Sequence, residues 1–143
     1  MEKDSKIDIT AWVRIARAHT RILDQVEKAL KLAKLKPLSW YDVLLELERS
    51  GESGLRHFEL EEKLLLPQYS VSRLVDRIES AGYLSRTTCS DDMRGQVLHI
   101  TKQGKQVRQR MWPVYRDAIR KAVGDKLSDT ETRKLADILS KLS

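Results

Sequence analysis

The sequence predicts a mainly α-helical fold with a small β-hairpin wing: a winged helix-turn-helix lobe set between two helical ends. Three observations predict it. Apolar residues recur at three- and four-residue steps over both ends of the 143-residue chain. In the middle, a short helical segment is followed at once by "SVSRLVDRIES", apolar on one face and polar on the other. After it, "YLSRTTC" and "QVLHIT" alternate on either side of the turn-forming "SDDMRG". The expected organisation is one domain over 1–143, with the winged lobe at 37–101 and a helical dimerisation region at 8–36 and 102–143.

Taken in order, Trp12, Ile15, Ala16, Ile22, Leu23, Val26 and Leu30 form one face of a long helix between Ile9 and Ala33, which Pro37 ends. Ser39, with Asp42 three residues later, reads as a capping box for a second helix with Val43, Leu44 and Leu47 inward and "SGESG" as its stop. "HFELEEKLL" suits a short third helix with Leu60 and Leu64 inward. Pro67 suits the first position of a fourth helix, where its missing N–H costs nothing. That helix would bury Val71, Leu74, Val75 and Ile78, stop at a left-handed Gly82, and expose Gln68, Tyr69, Ser72, Arg73, Asp76 and Arg77. A fifth helix follows Thr101, with Pro113 expected to kink it. Ser128 and Glu131 cap a sixth with Leu135, Ile138, Leu139 and Leu142 inward.

Composition excludes several classes. One Cys cannot form an internal disulfide. The longest apolar runs are far below the ~20 residues of a membrane span, and "MEKDSKIDIT" lacks the apolar core of a signal peptide. The expectation is a cytoplasmic protein with no membrane partner. A net charge of +6 suits a polyanionic partner. The excess lies at the ends: residues 102–121 carry seven Lys/Arg against one Asp/Glu, while 67–101 carry four against four. Such a run is as compatible with a solvated helix face as with a binding surface.

A hairpin directly after a recognition helix is a wing. An arginine at its tip can enter the narrow, negative minor groove beside the major groove that the helix fills. With so little else to cover the long apolar faces of the first and last helices, packing against a second copy is expected.

In this order of elements, the sequence resembles the MarR family of bacterial transcriptional regulators. The resemblance rests on "LSWYDVLLELERSG", "SVSRLVDRIESAGYLSR" and "DMRGQVLHITKQG", the last matching the family's wing pattern of Asp-x-Arg, an apolar strand, then Thr and Gly. It covers roughly residues 10–142 and departs from the pattern at Glu61, where a small residue is usual, and at Leu65, where the turn usually has Gly. It implies a nucleoid-associated homodimer that binds a pseudo-palindromic operator in double-stranded DNA, typically as a repressor. It implies a base-reading face of Gln68, Tyr69, Ser72 and Arg73, with Ser70 and Arg77 nearer the phosphates or the helix's own scaffold. Arg94 matches the wing-tip arginine and Asp92 its acidic organiser. Many members are released by small, often phenolic, ligands, which suggests a pocket near Trp12, His19, Trp40, Met111 and Tyr115. Ordinary core or dimer contact explains the same residues equally simply.

No cofactor, metal or catalytic activity is expected. Asp91 and Asp92 are hairpin neighbours that tend to point apart, with no nucleophile or base placed beside them. His19, His57 and His99 fall on separate elements without ligand spacing. Cys89, beside the wing, could respond to oxidation or be inert. The alternative from another class is a winged-helix module that binds protein through the same faces. Fold alone does not separate the two readings.

Overall fold

The computed structural model describes residues 2–67, 69–88 and 95–143. Its elements are α1 (Glu2–Leu32), α2 (Leu38–Arg49), a 3₁₀ turn (Gly51–Ser53), β1 (Leu55–Arg56), α3 (His57–Lys63), α4 (Val71–Ser80), β2 (Leu84–Thr88), β3 (Gln96–Ile100), α5 (Lys102–Ile119), a π-helical turn (Arg120–Gly124) and α6 (Asp129–Ser140). The chain forms two compact units, one of residues Met1–Ala33 with Val114–Ser143 and one of Lys34–Pro113.

In the second unit, the winged lobe is built on leucines. Leu44 and Leu47 of α2, Leu60 of α3, Val75 and Ile78 of α4 and Leu98 of β3 are all fully buried. Truncating any of these large side chains to alanine should cost about 2–5 kcal/mol. The strands form one antiparallel sheet in the order β1-β3-β2, with Leu84 opposite Ile100 and Thr88 opposite Gln96. β1, only two residues long, pairs Leu55 with Leu98 and lay below the threshold of any periodicity argument. Gly54 precedes it with φ 68°, and a Cβ there would lie 2.6 Å from the Leu98 carbonyl oxygen, so only glycine fits.

The hairpin is closed at its base by α4 and α5. The Gly82 amide donates to the Glu79 carbonyl (2.9 Å) and that of Tyr83 to Ile78 (3.1 Å), with Gly82 at φ 86°. This is the left-handed helix stop expected from the sequence. Across the base, the Thr101 amide donates to the Tyr83 carbonyl at 3.1 Å and its hydroxyl to the Gly82 carbonyl at 2.7 Å. The same hydroxyl accepts the Gly104 amide at 3.0 Å and so caps α5. A Cβ on Gly104 would stand 2.2 Å from the Tyr83 oxygen. The Thr and Gly of "HITKQG" thus fasten the end of the wing to its beginning.

Four expectations need correction. The first helix begins at Glu2, because polar first turns carry no apolar period to read. It ends at Leu32, before Pro37, where Lys34 takes a left-handed φ of 60°. The second helix starts at Leu38 with no side-chain cap, and the expected partner of Ser39, Asp42, is buried and turned elsewhere. The third helix stops at Lys63, leaving Leu64 extended and only half-buried. In α6 the Ser128–Glu131 box forms as expected, with reciprocal bonds of 3.0 and 3.1 Å. However, Leu135, Ile138 and Leu142 are exposed rather than inward, at 41%, 58% and 71%.

In the first unit, Val26 and Leu30 of α1 and Ala118 and Ala122 are buried, while Ile7, Ile9 and Trp12 of α1 are exposed. Pro113 lies inside α5, which continues to Ile119 and is followed by the π turn.

Candidate nucleic-acid interface

The exposed face of α4 is set by its own amphipathic pattern. Val71, Leu74, Val75 and Ile78 fall three and four apart and are buried, which turns Ser72, Arg73, Asp76 and Arg77 outward. The helix begins later than the sequence suggested. Its N-cap is Ser70, whose hydroxyl accepts the Arg73 amide at 3.2 Å, and Pro67 stands in the turn before it. Ser70 therefore serves the helix scaffold. Tyr69 precedes the helix as the most exposed aromatic among the described residues.

The turn between α3 and α4 is held by Asp42. Its Oδ1 accepts the Leu65 amide at 3.1 Å and its Oδ2 the Leu66 amide at 3.0 Å. Burial pushes the Asp42 carboxyl above its ordinary pKa, against the pull of the two amide bonds and with a small upward push from Glu46.

The charges on α4 are sorted by a residue that the sequence reading did not single out. From β2, Arg86 donates Nε to Glu79 at 3.0 Å and Nη1 to Gln96 at 3.2 Å, and its Nη2 closes on Asp76. Both acids of the helix are thus engaged from the wing. Neither Arg73 nor Arg77 bridges to Asp76 or Glu79 among the described residues. Two guanidinium groups stand exposed on the outer face. Arg77 in the last turn also favours the helix dipole. The only signal for Arg86 was its place in the strand after the helix, which says nothing of where its side chain turns.

Gln68, Cys89, Asp92 and Arg94 lie outside the described residues. The candidate pocket residues are distributed over the two units. In the first, Trp12 and His19 are exposed and Tyr115 is half-buried; in the second, Met111 is fully buried. Trp40 meets Tyr83 edge-on at a centroid distance of 6.0 Å and carries the Lys36 ammonium 4.8 Å from its ring centroid. The basic run of 102–121 is also partly spent, since Arg108 grips Glu48 through bonds of 2.8 and 3.1 Å. The described residues contain no cluster of metal-ligating side chains, and no helix is long and apolar enough to cross a membrane.

Comparison with known proteins gives concordant likenesses. A family model described as the MarR family matches residues 34–95. Sco3205, a MarR family transcriptional regulator from Streptomyces coelicolor solved in complex with DNA, is 29% identical. That match covers 93% of this chain and 86% of the other, with a TM-score of 0.82. A putative MarR-like transcription regulator from Bacillus cereus, 18% identical, shares the fold with a TM-score of 0.84 over 96% of both chains. An uncharacterized HTH-type transcriptional regulator of Bacillus cereus is 26% identical over 140 residues, which is 98% of this chain and 91% of that one.

Proposed function

We propose that this chain is a transcriptional regulator of the MarR type that binds double-stranded DNA through α4 and the wing. The observation that carries the reading is the pair Arg73 and Arg77: exposed, on the outer face of α4, and relieved of their acidic neighbours by Arg86. A helix with this face suits a major groove, where a guanidinium can read guanine O6 and N7. Tyr69 and Ser72, with Gln68, would share the base-reading edge. Ser70 fixes the helix start, and Arg77 lies at the phosphate side. Arg94, ordered by Asp92, would enter the minor groove beside it. The DNA complex of the 29% identical Streptomyces protein supports the same reading.

The acting form is a homodimer on a pseudo-palindromic operator. Ile7, Ile9 and Trp12 on α1, Leu135 and Ile138 on α6 and Leu142 just after it leave apolar area that a second copy would cover. The resemblance to MarR regulators supports repression, with release by a small aromatic or phenolic ligand.

Titration of a duplex selected from a random library, over a range of salt, tests the reading. Phosphate neutralisation requires affinity to fall steeply with salt. Arg73→Ala should weaken the selected duplex by about 1–3 kcal/mol more than a random one. Failure of the wild-type protein to select any sequence would favour the protein-binding module instead.

A further inference from the structure

The turn of a helix-turn-helix is a backbone problem, because its amides must find acceptors without a helix to supply them. Here the account closes over residues 64–67. The Leu64 amide donates to the Leu60 carbonyl at 3.2 Å, those of Leu65 and Leu66 to the two oxygens of Asp42, and Pro67 has no N–H to satisfy. Leu64 has φ −63° and ψ 134°, and the proline after Leu66 disfavours helical backbone at that residue. Leu65 stands where a glycine is usual, yet Lys34 is the only described residue other than glycine with a positive φ. The described residues of the turn therefore include none with a left-handed backbone. What fixes its path is a carboxylate rising from α2, 23 and 24 residues earlier in the chain.

We propose that Asp42 is a positioning residue for DNA recognition: by holding the Leu65 and Leu66 amides at once, its carboxylate fixes the turn and so sets the placement of Tyr69 and the start of α4. The inference rests on the reading of α4 as the DNA-contacting helix. Two acceptors on one rigid group make the device specific. Asparagine has the same shape but only one acceptor, and its NH₂ would face a backbone N–H. Glutamate has both acceptors but carries them one methylene further out. The leucines add to the constraint, since Leu64 and Leu66 are half-buried while Leu65 points to solvent, so a slip of one residue would exchange inside for outside.

The test uses full-length protein labelled with ¹⁵N, together with a duplex selected by the wild-type protein and a random duplex of equal length. In wild type, the Leu65 and Leu66 amides should resonate downfield and exchange slowly. In Asp42→Asn, one of the two should move upfield and lose protection. Affinity for the selected duplex should fall about 10-fold or more, as expected when one part-buried donor loses its partner, with the random duplex and its salt slope little changed. Asp42→Glu, which restores both acceptors imperfectly, should recover part of the loss. A purely structural Asp42 would lower thermal stability while leaving the ratio of selected to random binding intact in the folded protein. Unchanged amide shifts, or an unchanged ratio in Asp42→Asn, overturn the inference alone. If the wild-type protein selects no sequence, the DNA reading falls and takes the inference with it.

Discussion

Arg86 on β2 donates its Nε to Oε1 of Glu79 on α4 at 3.0 Å, and the rest of its guanidinium spans to Asp76 one turn earlier and to Gln96 on β3. One side chain thus ties α4 to both strands of the wing. It also neutralises two acids that would otherwise repel a polyanion beside Arg73 and Arg77.

Arg86→Ala should therefore weaken duplex binding by more than it weakens the fold. Asp76 and Glu79 are substantially exposed, so the bridges should contribute about 1 kcal/mol or less to stability. Binding should lose about 1–2 kcal/mol, because two uncompensated carboxylates are left on the DNA face. Urea unfolding and duplex titration of the same variant give the two numbers. Adding Asp76→Asn to Arg86→Ala should recover part of the binding and none of the stability. Equal losses in both measurements would mean that the bridge only holds the wing.

Two glycines near the ends of α5 should respond in opposite ways to alanine. At Gly104, a Cβ would meet the Tyr83 carbonyl at 2.2 Å, backbone that is itself bonded to Thr101. Gly104→Ala should cost about 1–3 kcal/mol by overpacking. At Gly124, the nearest atom to a Cβ is the Arg120 Cγ at 3.4 Å, the flexible part of a side chain. Gly124→Ala should be neutral or stabilise by up to about 1 kcal/mol, the gain from a stiffer unfolded chain. Denaturant midpoints of the two variants check the contrast.

The buried carboxyl of Asp42 sets a pH dependence of definite sign. Desolvation holds its pKa above the ordinary value of 3.8 despite the Leu66 and Leu65 amides, so the folded protein binds the proton more tightly than the unfolded chain does. Stability should rise as pH falls from neutral through this raised pKa, with the gain complete below the ordinary value. Asp42→Asn lacks the titration, so the stability of wild type minus that of the variant should climb toward acid. A difference that falls in acid would show that the amide bonds outweigh burial.

Much of the fold was legible because its signals are local. The α4 stripe of Val71, Leu74, Val75 and Ile78 lies within one helix, Gly82 has the conformation its position asks for, and Ser128 and Glu131 cap each other across three residues. What escaped the sequence depends on partners far along the chain. Asp42 has the spacing of a capping residue after Ser39, yet its acceptors serve a turn more than twenty residues away. Arg86 reads as one more alternating strand residue, and only folding brings it onto α4. Pro67 carried a real preference for a helix start, which gave way to a turn already claimed by Asp42 and a better cap at Ser70. The α6 leucines have the correct period, but period reports only that a face wants cover. It does not say whether the cover comes from this chain or from another.

The threonine latch at the base of the wing bears on how such a protein can change over time. Thr101 joins the end of β3 to the Gly82–Tyr83 corner, so whatever lies between the strands leaves and returns at points already fastened. Closing a longer loop between fixed ends costs only about 0.6 kcal/mol for each doubling of its length. Residues can be gained or lost at the hairpin tip without disturbing α4 or the start of α5. If α4 reads the operator core and the hairpin its flanks, a lineage of such proteins can alter the two independently, the one by substitution and the other by insertion and deletion.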